Sequence, residues 1–199
     1  MSYLTPKGAE ELLSLYIHFP FCKQRCIYCD FNTLGGVKQE ERLVYHKALL
    51  QDIRLSARQV KIAEDGLRSL YLGGGTPTLA SADWLMEVVD TVKEYYGFNP
   101  QAEITIEANP GTLSLAKLKS LHQCGINRLS MGVQSLNAGL LHKLGRIHSV
   151  QDVADSLSWA REAGFDNINL DLIYGLPGQT AAIWTDTLEQ LLSFKPEHI

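Results

Sequence analysis

The chain has 199 residues, 45% hydrophobic and 20% charged, with a formal net charge of -4, a composition that supports one sizeable core and excludes a disordered chain. The acidic balance and the lack of a basic run leave no footprint for nucleic acid or an anionic membrane surface. No apolar run approaches the roughly 20 residues needed to cross a bilayer, and the opening MSYLTPKGAEELL lacks the cationic start and apolar centre of a signal peptide, so a cytoplasmic location is expected.

Residues 1–14 read as a short extension ahead of the first strand. From there β-rich runs alternate with helical periodicities, predicting strands at 15–20, 67–72, 102–107, 128–134 and 167–173 and helices at 39–60, 83–96, 115–124, 150–163 and 181–194. Ser149 and Thr180 stand where N-caps belong, and Gly125 and Gly164 follow helix ends. Such alternation predicts repeated βαβ units and a parallel sheet in a single domain over 1–199. The final helix runs into FKPEHI, where Pro196 ends it and His198 and Ile199 look like the start of a sixth strand. The expectation is the front portion of a longer protein of about six βα units, with its C-terminal domain absent.

The strands alternate in character. Ile168, Leu170 and Leu172 oppose Asn167, Asn169 and Asp171; Leu129, Met131 and Val133 oppose Arg128, Ser130, Gly132 and Gln134. Ile104 and Ile106 oppose Glu103, Thr105 and Glu107, while Leu15, Ile17 and Phe19 oppose Tyr16 and His18. A parallel sheet covered by helices on both faces would read as continuous apolar runs. The simplest geometry is a curved, partial, open α/β barrel, with its apolar faces against outer helices and its polar faces round a wet interior; an open sheet with one solvated face is the alternative.

Cys22, Cys26 and Cys29, three of the four cysteines, are spaced Cys-x3-Cys-x2-Cys. In a reducing compartment clustered thiols point to metal or redox chemistry. Zinc wants four ligands in two separated pairs, with His18 the one nearby nitrogen, and a Cys-x-x-Cys redox pair leaves Cys22 unexplained. An iron–sulfur cubane normally takes four cysteines, so three would leave one iron open. Cys124 ends an amphipathic helix and reads as a small buried hydrophobe. Glu107 and Asp171 are inward carboxylates, either functional or paired with a neighbour such as Arg128.

The cysteine spacing, with Tyr28 before the last cysteine, resembles the signature of the radical S-adenosylmethionine (SAM) enzymes. LYIHFPFCKQRCIYCDF, YLGGGTPT, IEANPGT, RLSMGVQS, LGRIHS and NINLDLIYGLPGQT together resemble the oxygen-independent coproporphyrinogen III oxidase family, from Tyr16 to the last residue. The resemblance implies a [4Fe-4S] cluster on Cys22, Cys26 and Cys29 whose open iron chelates SAM. It also implies SAM contacts from Tyr16, Tyr28, Gly74, Gly75, Thr76, Glu107, Gln134, Arg146 and Asp171, the glycines and Thr76 through backbone groups; no catalytic residue is assigned. The true oxidases of the family carry a further cysteine two positions after the third, where this chain has Phe31, and the CDF ending resembles the HemW-like heme-chaperone branch. That branch implies heme binding and delivery to acceptor proteins, with heme ligands mainly in a C-terminal part. The alternative is an oxidase that converts porphyrinogen propionates to vinyl groups and needs a flavodoxin-like electron donor.

Overall fold

A computed structural model describes residues 13–199. Residues 1–12 of the predicted extension lie outside the described residues, and Ser14 already belongs to the first strand. The chain runs β1 (Ser14–Phe19), β2 (Phe21–Cys22), β3 (Leu34–Gly35), α1 (Gln39–Ala57), β4 (Leu67–Gly74), α2 (Ala82–Tyr96), β5 (Phe98–Ala108), α3 (Leu115–Gln123), β6 (Arg128–Gln134), α4 (Ala138–Lys143), α5 (Val150–Glu162), β7 (Ile168–Leu172) and α6 (Ala181–Ser193), with single 3-10 turns at Pro77–Leu79 and Pro110–Thr112. Among the described residues no helix is long and apolar enough to cross a membrane.

The main sheet has five strands in the order β1-β4-β5-β6-β7, all parallel. Neighbours in sequence are neighbours in space, as successive crossovers of one hand produce. This is the expected partial, open barrel. Beyond β7, His198 pairs with Asn169 in a parallel bridge and its carbonyl accepts from the Leu170 amide at 3.1 Å, so the predicted sixth pairing begins where the sequence placed it.

Register explains the burial. Ile17, Leu72, Ile106, Leu129 and Ile168 form one continuous row across all five strands, each 3% exposed or less. Val88, Val89, Leu118, Leu121, Val153 and Leu157 from the outer helices join the same core. Burying each such side chain contributes about 1.5–3 kcal/mol. Because Cβ direction alternates along a strand, the same register turns Tyr71, Thr105, Ser130 and Asn169 to the other side.

The helices start and stop on local signals. Ser81, Ser149 and Thr180 accept from the amides of Trp84, Asp152 and Ile183, satisfying donors that a first turn leaves orphaned. Ser149 and Asp152 close a reciprocal capping box. Differences from the prediction lie at ends and in short pieces. Helix α1 stops at Ala57, α2 begins at Ala82, β4 extends through Gly74, β5 starts at Phe98, and β2, β3 and α4 have no counterpart in the prediction. Two-residue strands and a six-residue helix carry too few residues for a periodicity to register.

Candidate cofactor-binding site

The site forms where the C-terminal strand ends meet the loop between β1 and α1. That loop leaves the sheet at Pro20 and makes the small parallel pair β2–β3, which sets Cys22 opposite Gly35, while the Cys29 amide turns back onto the Cys26 carbonyl at 3.1 Å. Its far side is held by the segment after α4: the Ile27 amide donates to the Leu144 carbonyl and the Gln24 side chain to that of Gly145, both at 3.4 Å.

Between loop and strand ends lies a cavity of 800 Å³ that Cys22, Cys26 and Cys29 share with Tyr28, Gly74, Gly75, Thr76, Glu107, Gln134, Arg146 and Asp171. Eleven of the twelve residues singled out in the sequence therefore line one space. Tyr16 does not: it is 56% exposed, with its ring stacked on that of Tyr71 at 5.9 Å and its hydroxyl on His18 Nδ1 at 3.0 Å. The residue nearest the cavity from that side is Tyr71. It lies on the polar face of β4 opposite Leu70 and Leu72, an alternation legible in LRSLYLGG. Ser130 and Asn109 also line the cavity; Ser130 stood on a polar strand face in the sequence, while Asn109 carried no periodic signal.

The glycine turn is fixed by its neighbours. The Gly75 amide donates to the Phe19 carbonyl at 2.6 Å, the Thr76 amide to that of Phe21 at 2.8 Å, and the Gly74 amide to Glu107 Oε2 at 2.9 Å. A Cβ on Gly75 would come within 2.7–2.8 Å of the Phe21 and Phe19 carbonyl oxygens, so only glycine permits this approach. All three amides of the turn are therefore committed within the protein.

The carboxylates differ in their commitments. Glu107 accepts from Tyr71 Oη at 2.8 Å and from the Gly74 amide, which makes it a satisfied interior carboxylate that also faces the cavity. Burial first and the Glu107 charge second push the Tyr71 hydroxyl well above the ordinary tyrosine range, so it stays protonated and donates. Tyr16 is raised by the same two causes. Asp171 is open to solvent as a residue, yet the partial desolvation of its carboxyl raises its pKa against the opposing effects of Asn169 and Arg128; one oxygen accepts from Asn169 Nδ2 at 2.7 Å.

Arg146 ties loop to sheet. Its guanidinium donates to the Gly132 carbonyl and to Tyr28 Oη at 3.4 Å, and reaches Cys26 Sγ at 3.7 Å. Its Nε is buried without a hydrogen-bond partner among the described residues. Gln134 ends β6 at φ 68°, a left-handed conformation that costs a non-glycine residue about 1–2 kcal/mol and clusters at functional sites.

The thiols fit a soft, multi-iron centre. All three cysteines are free and partly buried, Thr76 Oγ1 approaches Cys22 Sγ at 3.7 Å, and burial raises the Cys22 thiol. No three His, Cys, Asp or Glu groups among the described residues converge round a single-ion point. The donor set is sulfur on a loop facing a roomy cavity, the chemistry of iron–sulfur ligation. Cys124 lies away from it, packed against the core with its Sγ on the Leu121 carbonyl at 3.1 Å.

A family model described as the radical SAM superfamily matches residues 16–191. The heme chaperone HemW of Haemophilus influenzae is 41% identical over 191 residues, spanning 94% of this chain and 49% of that protein. The heme chaperone HemW of Bacillus subtilis is 41% identical over 186 residues, spanning 93% and 48%. The solved structure of coproporphyrinogen III oxidase (HemN) from Escherichia coli, described as a radical SAM enzyme, superposes with a TM-score of 0.85 at 36% identity, covering 92% of this chain and 42% of that one. The chain thus spans about half the length of the curated relatives it matches.

Proposed function

The chain belongs to the radical SAM superfamily, and on that premise we propose that it is the cofactor-binding core of a HemW-like heme chaperone, with residues 1–199 forming one domain of a protein that binds heme and passes it to acceptor proteins. The superfamily implies a [4Fe-4S] cluster and SAM in general. Here Cys22, Cys26 and Cys29 would hold the cluster, which when bound supplies the electron for reductive SAM chemistry.

The observation that carries this reading is the convergence of the three thiols, the glycine turn and the polar strand ends on one 800 Å³ cavity, a size suited to a small-molecule cofactor. With their amides committed elsewhere, Gly74 and Gly75 have only carbonyl oxygens left to give a ligand, acceptors that suit an ammonium group. Arg146, which lines the cavity, carries the fixed positive charge that suits a carboxylate. Asp171 and Gln134 also line the cavity, where they suit hydroxyl groups. Tyr28, its hydroxyl pushed up to about 12 chiefly by burial, stays neutral and closes the loop side. A cytoplasmic location belongs to the same reading, because a reducing compartment keeps clustered thiols available for a cluster.

Phe31, 70% exposed at the cavity rim, favours the chaperone over the oxidase reading, because it stands where the oxidases of the resembled family place a further cysteine. The second reading, radical decarboxylation of coproporphyrinogen III with a flavodoxin-like donor, is favoured by the likeness to the E. coli oxidase. Anaerobic incubation of the intact parent protein with reductant, SAM and coproporphyrinogen III separates them: stoichiometric heme binding without protoporphyrinogen formation is expected, and turnover overturns the chaperone reading. In the reconstituted chain, Asp171→Ala is expected to retain iron and weaken SAM binding about tenfold to a hundredfold, as loss of one charge-assisted hydrogen bond would. Equilibrium dialysis against labelled SAM measures it.

A further inference from the structure

Beneath the cavity, a line of contacts joins its two walls. Asn32, just past the last cysteine, has a carbonyl 2.8 Å from His18 Nε2. A carbonyl can only accept, so Nε2 donates and, in the neutral ring, Nδ1 accepts from the Tyr16 hydroxyl at 3.0 Å. The Tyr16 ring lies on the Tyr71 ring at 23° between planes. Tyr71 Oη donates to Glu107 at 2.8 Å, and the other Glu107 oxygen takes the Gly74 amide at 2.9 Å. The His18 ring also packs flush on Gly74: a Cβ there, at φ 113°, would come within 2.5 Å of it.

We propose that Tyr71 is a positioning residue which, with Tyr16 and His18, couples the cysteine loop to the glycine turn, so that the two elements holding cluster and SAM are set as one unit. This rests on the SAM reading of the cavity. Tyr71 works through Glu107: by filling one carboxylate oxygen it fixes the side chain so that the other holds the Gly74 amide, and with it the direction of the Gly74 and Gly75 carbonyls. Tyr16 works through His18 on the Asn32 end of the loop, and the stacked rings join the halves.

Two measurements on the full chain test this. In hydrogen exchange of the cluster-free protein, Tyr71→Phe is expected to speed exchange in the peptide containing Gly74 to Thr76, and Tyr16→Phe in that containing Asn32 and Thr33, with strand β6 unchanged. A uniform rise across the sheet, or no rise at either segment, overturns the coupling, because a merely structural loss would not be local. In SAM binding to the reconstituted chain, Tyr71→Phe is expected to weaken affinity about threefold to tenfold with iron content unchanged. Weakening by Glu107→Gln but wild-type affinity in Tyr71→Phe overturns the positioning role and leaves the SAM reading standing. Wild-type affinity in both overturns both.

Discussion

The cysteine loop and the strand floor beneath it bind the same cavity from opposite sides, yet they are built differently. On the floor, every polar side chain has a buried hydrophobic residue behind it, and parallel register fixes its position to the row. In the loop, Ile27 and Phe31 are 79% and 70% exposed, and order comes from a two-residue strand pair and a handful of hydrogen bonds to His18, Gly145 and Arg146. The floor is preorganised by the core, whereas the loop has little core of its own, so on the proposed reading metal binding and loop folding would be coupled.

The sharpest way to break that contrast is through the thiols. Changing Cys22, Cys26 or Cys29 to Ser is expected to abolish the reconstituted cluster, measured as iron and acid-labile sulfide, while thermal unfolding of the cluster-free chain stays close to wild type; Cys124→Ser is expected to keep about four irons per chain. Loss of iron in Cys124→Ser would contradict its place in the core. The converse change strikes the floor: Leu129→Ala, fully buried in the central apolar row, is expected to cost about 2–5 kcal/mol. Ile27→Ser in the loop is expected to change stability by about 0.5 kcal/mol or less. Urea unfolding of the cluster-free protein measures both, and equal losses would erase the distinction.

A smaller effect lies where the two regions meet. His148 is buried, with Nε2 on the Val133 carbonyl at 3.2 Å and Nδ1 on the Asn109 side chain at 3.1 Å. Burial first and Arg146 second push its pKa down to about 4. A folded pKa below the unfolded one means that protons bind preferentially to the unfolded chain. The stability His148 contributes is therefore complete above about pH 6.5, is lost as pH falls toward 4, and amounts to about 2 kcal/mol between pH 8 and pH 5. Urea midpoints at those two values are expected to converge in His148→Gln. Asp152, whose carboxyl is held low by the Ser149 amide and hydroxyl, stays ionised through that window and acts only below it.

Much of this was legible from local order in the chain. Alternation in NINLDLI, RLSMGVQ and EITIE assigned each inward residue to its face, since a strand's period of two leaves no other arrangement once one face is buried. Ser149 and Thr180 marked helix starts for the same local reason. Tyr16 shows where that reasoning stops. Alternation put it on the polar face, but not every residue of that face reaches the cavity: Tyr16 stacks on its register partner Tyr71, which lines the cavity in its place. Nor can spacing reveal that the amides of Gly74, Gly75 and Thr76 are already committed, because their acceptors lie on β1, β2 and β5.

By itself, then, the sequence determined the βα alternation, the split between apolar and polar faces and the three thiols on one loop, all properties of residues within a few positions of each other. Tertiary structure decided which polar residues share a cavity, that Glu107 is held by Tyr71 as well as lining that cavity, and that Arg146 reaches across from the α4–α5 segment to Cys26. Those contacts join residues 36 and 120 positions apart in the chain. They exist only once parallel pairing and helix packing have fixed the strands side by side, and no local pattern encodes that distance.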